Sequence, residues 1–251
     1  MRYLLTSLLC VFTLSLTAQV DCQGPDFNND SIIGAADIIV FLTYYGNEWP
    51  LAPEFICGET IAHQDYAYST VQIGDQCWFS ENCRYLPEVS PSNEGNTTDP
   101  YYYVYGYEGT DVAAAQATEN YDTYGVLYNW PAVMTEGICP SGWHVPSDGE
   151  FTELTDYLGG EGVAGGKMKE AGYDHWYSPN EGATNSSGWT GLPGGDRYCG
   201  GFYNLGHDGY WWSVSESGSN SWARYLYYYV DDVFRVDRDR HYGFSARCVR
   251  D

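Results

Sequence analysis

The stretch Ser147-Asp-Gly-Glu-Phe-Thr-Glu-Leu-Thr-Asp-Tyr-Leu158 carries the clearest helix signal in the chain. Its first and fourth residues have the spacing of a capping box, in which two side chains bond each other's backbone N–H groups. Phe151, Leu154 and Leu158 then recur at helical intervals, and a pair of glycines follows as a stop. The pattern predicts a helix over 147–158 that packs its apolar side on a sheet.

Strand signals lie on both sides of this helix. Residues 68–79 alternate around Gly74-Asp75 like a hairpin, and a second short helix is predicted over 164–171 with Lys167 and Lys169 facing solvent. Polar stretches at 90–99 and 111–120 predict loops. Aromatic or β-branched runs that predict further strands cover residues 210–215, 221–229, 233–236 and 244–249. Together these elements predict an α+β domain with short antiparallel strands, one or two helices and long loops.

Composition limits the classes of function. The 251 residues include 11 Lys and Arg against 34 Asp and Glu, which gives a net charge of −23. A protein that binds nucleic acid needs a basic face, so that class is excluded. Aromatic residues make up 17% of the chain, enough apolar area for a packed core.

Residues 1–18 have the pattern of a secretory signal peptide. Arg2 is followed by a largely apolar run, and Leu16-Thr17-Ala18 resembles a cleavage site. The alternative is a membrane helix, but the run is shorter than the roughly 20 residues that span a bilayer. We therefore expect a secreted or cell-surface protein without a membrane span.

The seven cysteines beyond the signal are expected to form disulfides, because an exported chain meets an oxidising compartment. Their positions suggest three pairs, although sequence alone does not fix connectivity: Cys22–Cys57, Cys77–Cys83 and Cys139–Cys248. Cys199 is left over. We predict that it is buried, with a reactive or intermolecular thiol as the alternative.

The segment 26–37 has the spacing of a calcium-binding loop. A calcium ion takes six to eight oxygen ligands. The predicted ligands are Asp26, Asn28, Asp30, the Ile32 carbonyl, a water at Gly34, and Asp37. Apolar residues at helical intervals over 38–45 predict that a helix follows. The alternative is an acidic loop that caps this helix without metal.

This loop and helix resemble a dockerin repeat, which also begins Asp-x-Asn-x-Asp and opens its helix with Asp. Ser31 stands where such repeats usually have glycine, and one repeat is found where dockerins carry two. A proline-containing connector, 47–58, then separates this 19–58 module from a larger domain over 59–251.

The larger domain contains seven words in order that resemble the Fibrobacter succinogenes major paralogous domain. They are Tyr124-Gly-Val-Leu-Tyr-Asn-Trp130, Cys139-Pro-Ser-Gly-Trp-His-Val-Pro146, Gly165-Gly-Lys-Met-Lys169, Asn180-Glu-Gly-Ala-Thr-Asn-Ser-Ser-Gly188, Leu192-Pro-Gly-Gly195, Gly209-Tyr-Trp-Trp-Ser213 and Gly243-Phe-Ser-Ala-Arg-Cys-Val-Arg-Asp251. The resemblance implies a C-type-lectin-like fold and a secreted or surface module of polysaccharide-degrading bacteria. It also supports the Cys139–Cys248 pair.

Aromatic residues supply the candidate ligand contacts. In a strand, Trp211 and Trp212 point to opposite faces, so one of them is a candidate for surface exposure and ligand contact, with burial in the core as the alternative. The tyrosines of 225–229, with Tyr210 and Tyr242, could form a ligand-facing patch or an aromatic sheet face beneath a loop.

The charged residues near the C-terminus suggest structure more than chemistry. The arginines Arg224, Arg235, Arg238, Arg240, Arg247 and Arg250 are expected to form cross-strand ion pairs with Asp231, Asp232, Asp237 and Asp239. His144 is expected to be structural, and no Ser-His-Asp grouping is defensible.

These patterns favour a non-catalytic surface or adhesion module, stabilised by calcium and disulfides, that binds a glycan or an extracellular protein. The alternative is an accessory or catalytic component of an extracellular polysaccharide-degrading system. A third possibility, a structural role in an extracellular assembly, would be favoured by an exposed Cys199.

Overall fold

The computed structural model describes residues 34–36 and 55–251, and residues 55–251 form one structural unit. Within it are thirteen strands and five helices. The strands are β1 Ile61–His63, β2 Tyr66–Tyr68, β3 Thr70–Ile73, β4 Gln76–Phe79, β5 Tyr102–Tyr103, β6 Leu127–Tyr128, β7 Trp143–His144, β8 Asp196–Tyr198, β9 Gly201–Tyr203, β10 Asp208–Ser217, β11 Asn220–Tyr227, β12 Val233–Asp239 and β13 Val249–Arg250. The helices are α1 Val112–Gln116, α2 Glu119–Tyr124, α3 Trp130–Val133, α4 Asp148–Tyr157 and α5 Glu161–Met168.

Two larger sheets organise the unit. One has the order β3-β4-β13-β7 and the other the order β10-β11-β12, and β1-β2, β5-β6 and β8-β9 form separate pairs. The paired strands are antiparallel throughout. Small helices and antiparallel sheets thus give the α+β architecture that the sequence predicts.

The predicted hairpin at Gly74-Asp75 is confirmed. Strands β3 and β4 pair from Thr70 opposite Phe79 to Ile73 opposite Gln76. Gly74 has φ +62°, and a Cβ at this position would lie 2.9 Å from the Tyr157 ring. The turn therefore needs glycine both for its backbone angle and for the close approach of helix α4.

The predicted helix at 147–158 is also confirmed. Ser147 caps α4, and the reciprocal bonds of the capping box between Ser147 and Glu150 are both present. Phe151 and Leu154 are fully buried, which places the apolar side of the helix in the core.

Three local predictions differ from the structure. The second helix ends at Met168, and Lys169 follows in extended backbone with its side chain fully buried. The prediction that Lys169 is exposed was wrong because it assumed helical periodicity, and the helix ends one residue earlier. The stretch 111–120, predicted as a loop, contains α1 and the start of α2, each with a side-chain N-cap. The run 244–249 contributes to a sheet only through β13.

The core consists of two apolar clusters with strands between them. Alternate residues of β4 enter different clusters, Phe79 on one side and Trp78 on the other. Strand β10 does the same with Trp212 and Trp211. These strands are therefore covered on both faces, and their alternation divides two cores instead of separating core from solvent.

Among the helices described, none is long and apolar enough to cross a membrane.

Candidate functional site

The predicted calcium ligands fall outside the described residues. They are Asp26, Asn28, Asp30, Ile32 and Asp37. The same holds for Cys22 and for the signal peptide.

The prediction that Trp211 or Trp212 is exposed was wrong. Trp211 is 1% exposed and Trp212 is 0% exposed. The Trp211 ring contacts Trp189 at 4.7 Å between centroids, and the Trp212 ring contacts Phe244 at 4.5 Å. The two rings do point to opposite faces of β10, but a core covers each face, so neither ring is available to a ligand.

A stack of aromatic rings crosses the β10-β11-β12 sheet on one face. The Tyr225 ring lies between Tyr210, at 5.1 Å, and Phe234, at 4.4 Å, with interplanar angles of 29° and 11°. Tyr210 stacks in turn on Phe244 at 4.7 Å. Because neighbouring rings cover both faces of Tyr225, this part of the predicted tyrosine patch is the aromatic sheet face of the alternative interpretation.

The other end of the tyrosine run is open to solvent. We call the group Tyr177, His207, Tyr227, Tyr228 and Tyr229 the tyrosine ledge. Tyr177 is 56% exposed and Tyr229 is 59% exposed, which marks them as its outer members. Ring centroids are 4.8 Å apart for Tyr177 and His207, 4.9 Å for His207 and Tyr228, and 5.5 Å for Tyr228 and Tyr229.

The two outer rings of the ledge, Tyr177 and Tyr229, each meet a neighbouring ring edge to face, whereas His207 and Tyr228 are tilted by 32°. Interplanar angles are 69° for Tyr177 with His207 and 74° for Tyr228 with Tyr229. Two backbone bonds join the segments that carry these rings: Tyr177 N–H donates to the Gly206 carbonyl, and Tyr228 N–H donates to the His207 carbonyl, each at 2.9 Å. The ledge thus combines exposed aromatic side chains with backbone segments that are hydrogen-bonded to each other.

A buried lysine forms hydrogen bonds to the turn that carries Tyr228 and Tyr229. The Lys169 ammonium donates to the carbonyls of Glu181 at 2.8 Å, Tyr227 at 3.1 Å and Val230 at 2.7 Å. Burial lowers the pKa of Lys169 to about 8, while the nearby Asp231 and Glu181 carboxylates oppose the shift. The lysine therefore stays charged at neutral pH and uses its three donors on two segments, two carbonyls at 227–230 and that of Glu181.

Two buried carboxyl groups lie on the strands next to the ledge. Asp208 pairs with Tyr227 across β10 and β11, and its Oδ2 accepts from the Tyr210 hydroxyl at 3.2 Å. Asp196 accepts from the Asn204 amide at 2.7 Å, and burial raises its pKa to about 6. Burial also raises the pKa of Asp208. Both carboxyl groups are thus buried, and that of Asp208 lies beside Tyr227 of the ledge.

The predicted cross-strand ion pairs do not form. Arg224 and Arg235 both pair with Asp148 at the start of α4, at 2.7 and 2.9 Å, and Arg240 pairs with Glu216 at 3.4 Å. Among the described residues, these arginines use acids on other elements instead of the predicted aspartates of 231–239. The helix supplies a carboxylate on the face toward which both side chains point.

His144 is held between two carboxylates, in line with a structural role. Its Nε2 lies 2.7 Å from Glu150 Oε1 and its Nδ1 lies 2.5 Å from Asp251 Oδ1. Burial alone would lower the pKa of His144, but these two hydrogen bonds outweigh burial and raise it. The arrangement ties β7 to α4 and to residue 251.

An apolar groove of about 390 Å³ lies beside His144. Its lining includes Val133, Met134, Ile138, Cys139, Trp143 and Val214. Met134 is 52% exposed at this groove, which is separate from the residues of the ledge.

The structure contradicts two of the predicted disulfides and contains the third. Cys139 pairs with Cys248, as the sequence resemblance implied, but Cys57 pairs with Cys77. The predictions of Cys22–Cys57 and Cys77–Cys83 were therefore wrong. Strand β4 carries the chain onward from Cys77, and Cys83 is buried beside Cys248 instead.

The prediction of a buried Cys199 was also wrong. Cys199 is exposed and has φ +47° in the turn between β8 and β9. A hairpin tip projects its side chains into solvent, and no core position was available for this thiol.

Sequence reasoning found part of the ledge and missed its support. Tyr227, Tyr228 and Tyr229 lay in the predicted patch, whereas Tyr177 lies in the long connection between α5 and β8 and His207 in the short one between β9 and β10. No sequence signal distinguishes Lys169, because Lys167 stands two residues before it in the same word, Gly165-Gly-Lys-Met-Lys169.

Comparison with known proteins gave one match. The family model described as the Fibrobacter succinogenes major domain matches residues 71–250, more than half of the chain. No curated protein and no solved structure matched.

Proposed function

The chain belongs to the Fibrobacter succinogenes major domain family, and we propose that it is an exported, non-catalytic binding module whose tyrosine ledge recognises a neutral glycan. The exposed side chains of Tyr177 and Tyr229 carry this proposal. Sugar rings present apolar C–H faces, and aromatic side chains bury such faces with little loss of side-chain freedom.

Charge selects among glycans. The chain has a net charge of −23, and the buried carboxyl group of Asp208 lies beside Tyr227 on the neighbouring strand. A polyanionic sugar would be repelled by this charge, whereas a neutral one would not. We therefore place the ligand among neutral polysaccharides.

The finer features follow the same proposal. The large domain would have a C-type-lectin-like fold, and the 19–58 module would be a dockerin-like calcium repeat that stabilises the protein or attaches it to a partner. The signal-like residues 1–18 support a secreted or cell-surface location.

Binding to insoluble polysaccharides tests the proposal. Depletion isotherms on cellulose, chitin and xylan are expected to show saturable binding that weakens about tenfold in Tyr177→Ala and in Tyr229→Ala, or about 1.4 kcal/mol. The matched control is Tyr157→Ala, since Tyr157 is also an exposed tyrosine, 66% exposed, but lies on α4.

Two outcomes would reject the proposal. Equal binding by the three variants and the parent chain would remove the ledge as the site. Release of reducing sugar ends from the same polysaccharides would favour the alternative, a component of a polysaccharide-degrading system, over a purely binding module.

A further inference from the structure

Three sulfur atoms meet inside the larger cluster of the core. The Sγ atoms of Cys83, Cys139 and Cys248 all lie within 4.8 Å of one another. Cys139 and Cys248 are joined, and the free thiol of Cys83 lies 3.5 Å from Cys248 Sγ. A thiol is thus held in contact with a disulfide, which is the arrangement from which exchange starts.

The two ends of this cluster differ in access. Cys83 and Cys248 are both 0% exposed, whereas Cys139 is half-buried and lines the 390 Å³ groove beside His144. Attack on Cys248 would therefore move a free thiol from the closed interior to a surface groove.

We propose that Cys83, Cys139 and Cys248 form a thiol–disulfide exchange site with two isomers. The Cys83 thiol loses its proton, its sulfur attacks Cys248 Sγ, and a Cys83–Cys248 bond forms. The Cys139–Cys248 bond breaks, and Cys139 leaves as a thiolate that takes up a proton. One disulfide and one thiol are present before and after, so the step needs no oxidant or reductant.

The second isomer creates a modification site in the groove. A Cys139 thiolate can attack a low-molecular-weight disulfide, form a mixed disulfide with one half and release the other half as a thiolate. The apolar lining of the groove favours a modifying group with an apolar body. This chemistry is independent of the tyrosine ledge.

The environment of Cys83 makes the exchange slow in the resting protein. Burial raises the pKa of this thiol to about 12, and the positive charge of Arg247 opposes the shift only in part. Since the thiolate is the attacking species, its small population limits the rate. While the pH is below that pKa, the rate of exchange is expected to increase about tenfold for each unit by which the pH is raised.

Alkylation of the native chain tests the proposal. The Cys199→Ser background removes the exposed thiol, and iodoacetamide is the probe at pH 7, 8 and 9. Peptide mass spectrometry without reduction is expected to find alkylated Cys139 together with a Cys83–Cys248 linked peptide. In Cys83→Ser with Cys199→Ser, alkylation of Cys139 should fall at least tenfold.

A second variant tests the geometry directly. In Cys139→Ser, Cys83 and Cys248 are expected to pair when the folded protein is treated with oxidised glutathione. The exchange site is overturned if Cys139 is alkylated equally with and without Cys83, or if Cys83 itself is alkylated in place of Cys139. It is also overturned if a folded Cys139→Ser chain keeps both thiols free. Tryptophan fluorescence and near-UV circular dichroism report whether each variant is folded.

Discussion

Asp196 is a buried carboxyl group, 4% exposed, whose charge opposes folding at neutral pH. Its pKa of about 6 lies above the ordinary value of 3.8, with burial as the main cause. Between these two values the folded chain binds more protons than the unfolded chain. This contribution therefore makes stability fall as pH rises from about 4 to 6 and leaves a constant deficit above 6.

The substitution Asp196→Asn is expected to raise the free energy of unfolding at pH 7 by about 1–3 kcal/mol. The asparagine Oδ1 still accepts from Asn204, and the pH dependence between 4 and 6 should flatten. Urea unfolding at several pH values measures both effects. The exposed change Asp174→Asn is the control, and a steeper pH dependence in Asp196→Asn would contradict the interpretation.

Arg247 is a fully buried cation whose described hydrogen bonds all go to uncharged oxygens. Its guanidinium donates to Thr190 O at 2.7 Å, to Asn82 Oδ1 at 3.1 Å and to the Trp189 carbonyl, and it lies 3.8 Å from the Trp189 ring. Burial lowers the pKa of Arg247 to about 9, which still leaves it charged at neutral pH. Two segments that are distant in sequence, 79–82 and 189–190, thus depend on one side chain for hydrogen bonds.

We expect Arg247→Met to lower the free energy of unfolding by about 2–5 kcal/mol, because buried carbonyls lose their donors. Chemical denaturation followed by tryptophan fluorescence measures the loss. Arg238→Met is the matched control, since Arg238 donates only to the adjacent Asp237 carbonyl. Similar stabilities for the two variants would show that water replaces the lost donors.

At the scale of elements, Asp148 joins helix α4 to the β10-β11-β12 sheet. Burial alone would raise the pKa of Asp148, but hydrogen bonds from Arg235 and Arg224 outweigh burial and hold the pKa below its usual value. The stabilising contribution is therefore present above the ordinary pKa of 3.8 and is lost as pH falls toward the lower folded value.

Asp148→Asn should destabilise the folded chain by about 1–3 kcal/mol at pH 7, since one side chain serves two arginines. Thermal unfolding followed by circular dichroism gives the shift in Tm. The exposed Asp156→Asn on the same helix is expected to change Tm little. The stabilities of the two variants should draw together as pH falls below 3.8, and a difference that does not shrink would point to helix capping instead of ion pairing.

The elements that the sequence predicted well are those stabilised locally. The capping box of α4 and the Gly74 turn involve residues within four positions of one another, so their patterns are complete in a short window. Lys169, Trp211 and Cys83 are positioned by distant segments: their partners include Val230, Asn82 and Cys248. Sequence periodicity does not indicate such distant partners. For this reason the hydrogen bonds of Lys169 beneath the ledge and the sulfur cluster around Cys83 were not predictable.

At the scale of the whole molecule, the calcium loop predicts a second source of stability. Titration of the full mature chain with calcium is expected to give a calorimetric heat and a rise in the Tm of its lowest transition, because metal that binds only the folded state stabilises it. The double change Asp26→Ala, Asp30→Ala should abolish both effects. The charge-matched control is the double change Asp65→Ala, Asp75→Ala, which also removes two acids but within 55–251. If the loop variant still gives the calorimetric heat, the predicted ligands are excluded.

The exposed Cys199 predicts covalent association between chains. Non-reducing electrophoresis of the oxidised protein is expected to show a dimer that Cys199→Ser lacks and that a reducing agent dissociates. Retention of the dimer in Cys199→Ser would assign it to another cysteine.

Strand β13 has a consequence for how the protein is made. Val249 pairs with Trp78 on one side and with His144 on the other, so the four-stranded sheet has no continuous order until residues 249–250 are present. During translation, β4 and β7 are therefore made well before the strand that pairs with both, and the sheet can form only after residues 249–250 have been synthesised.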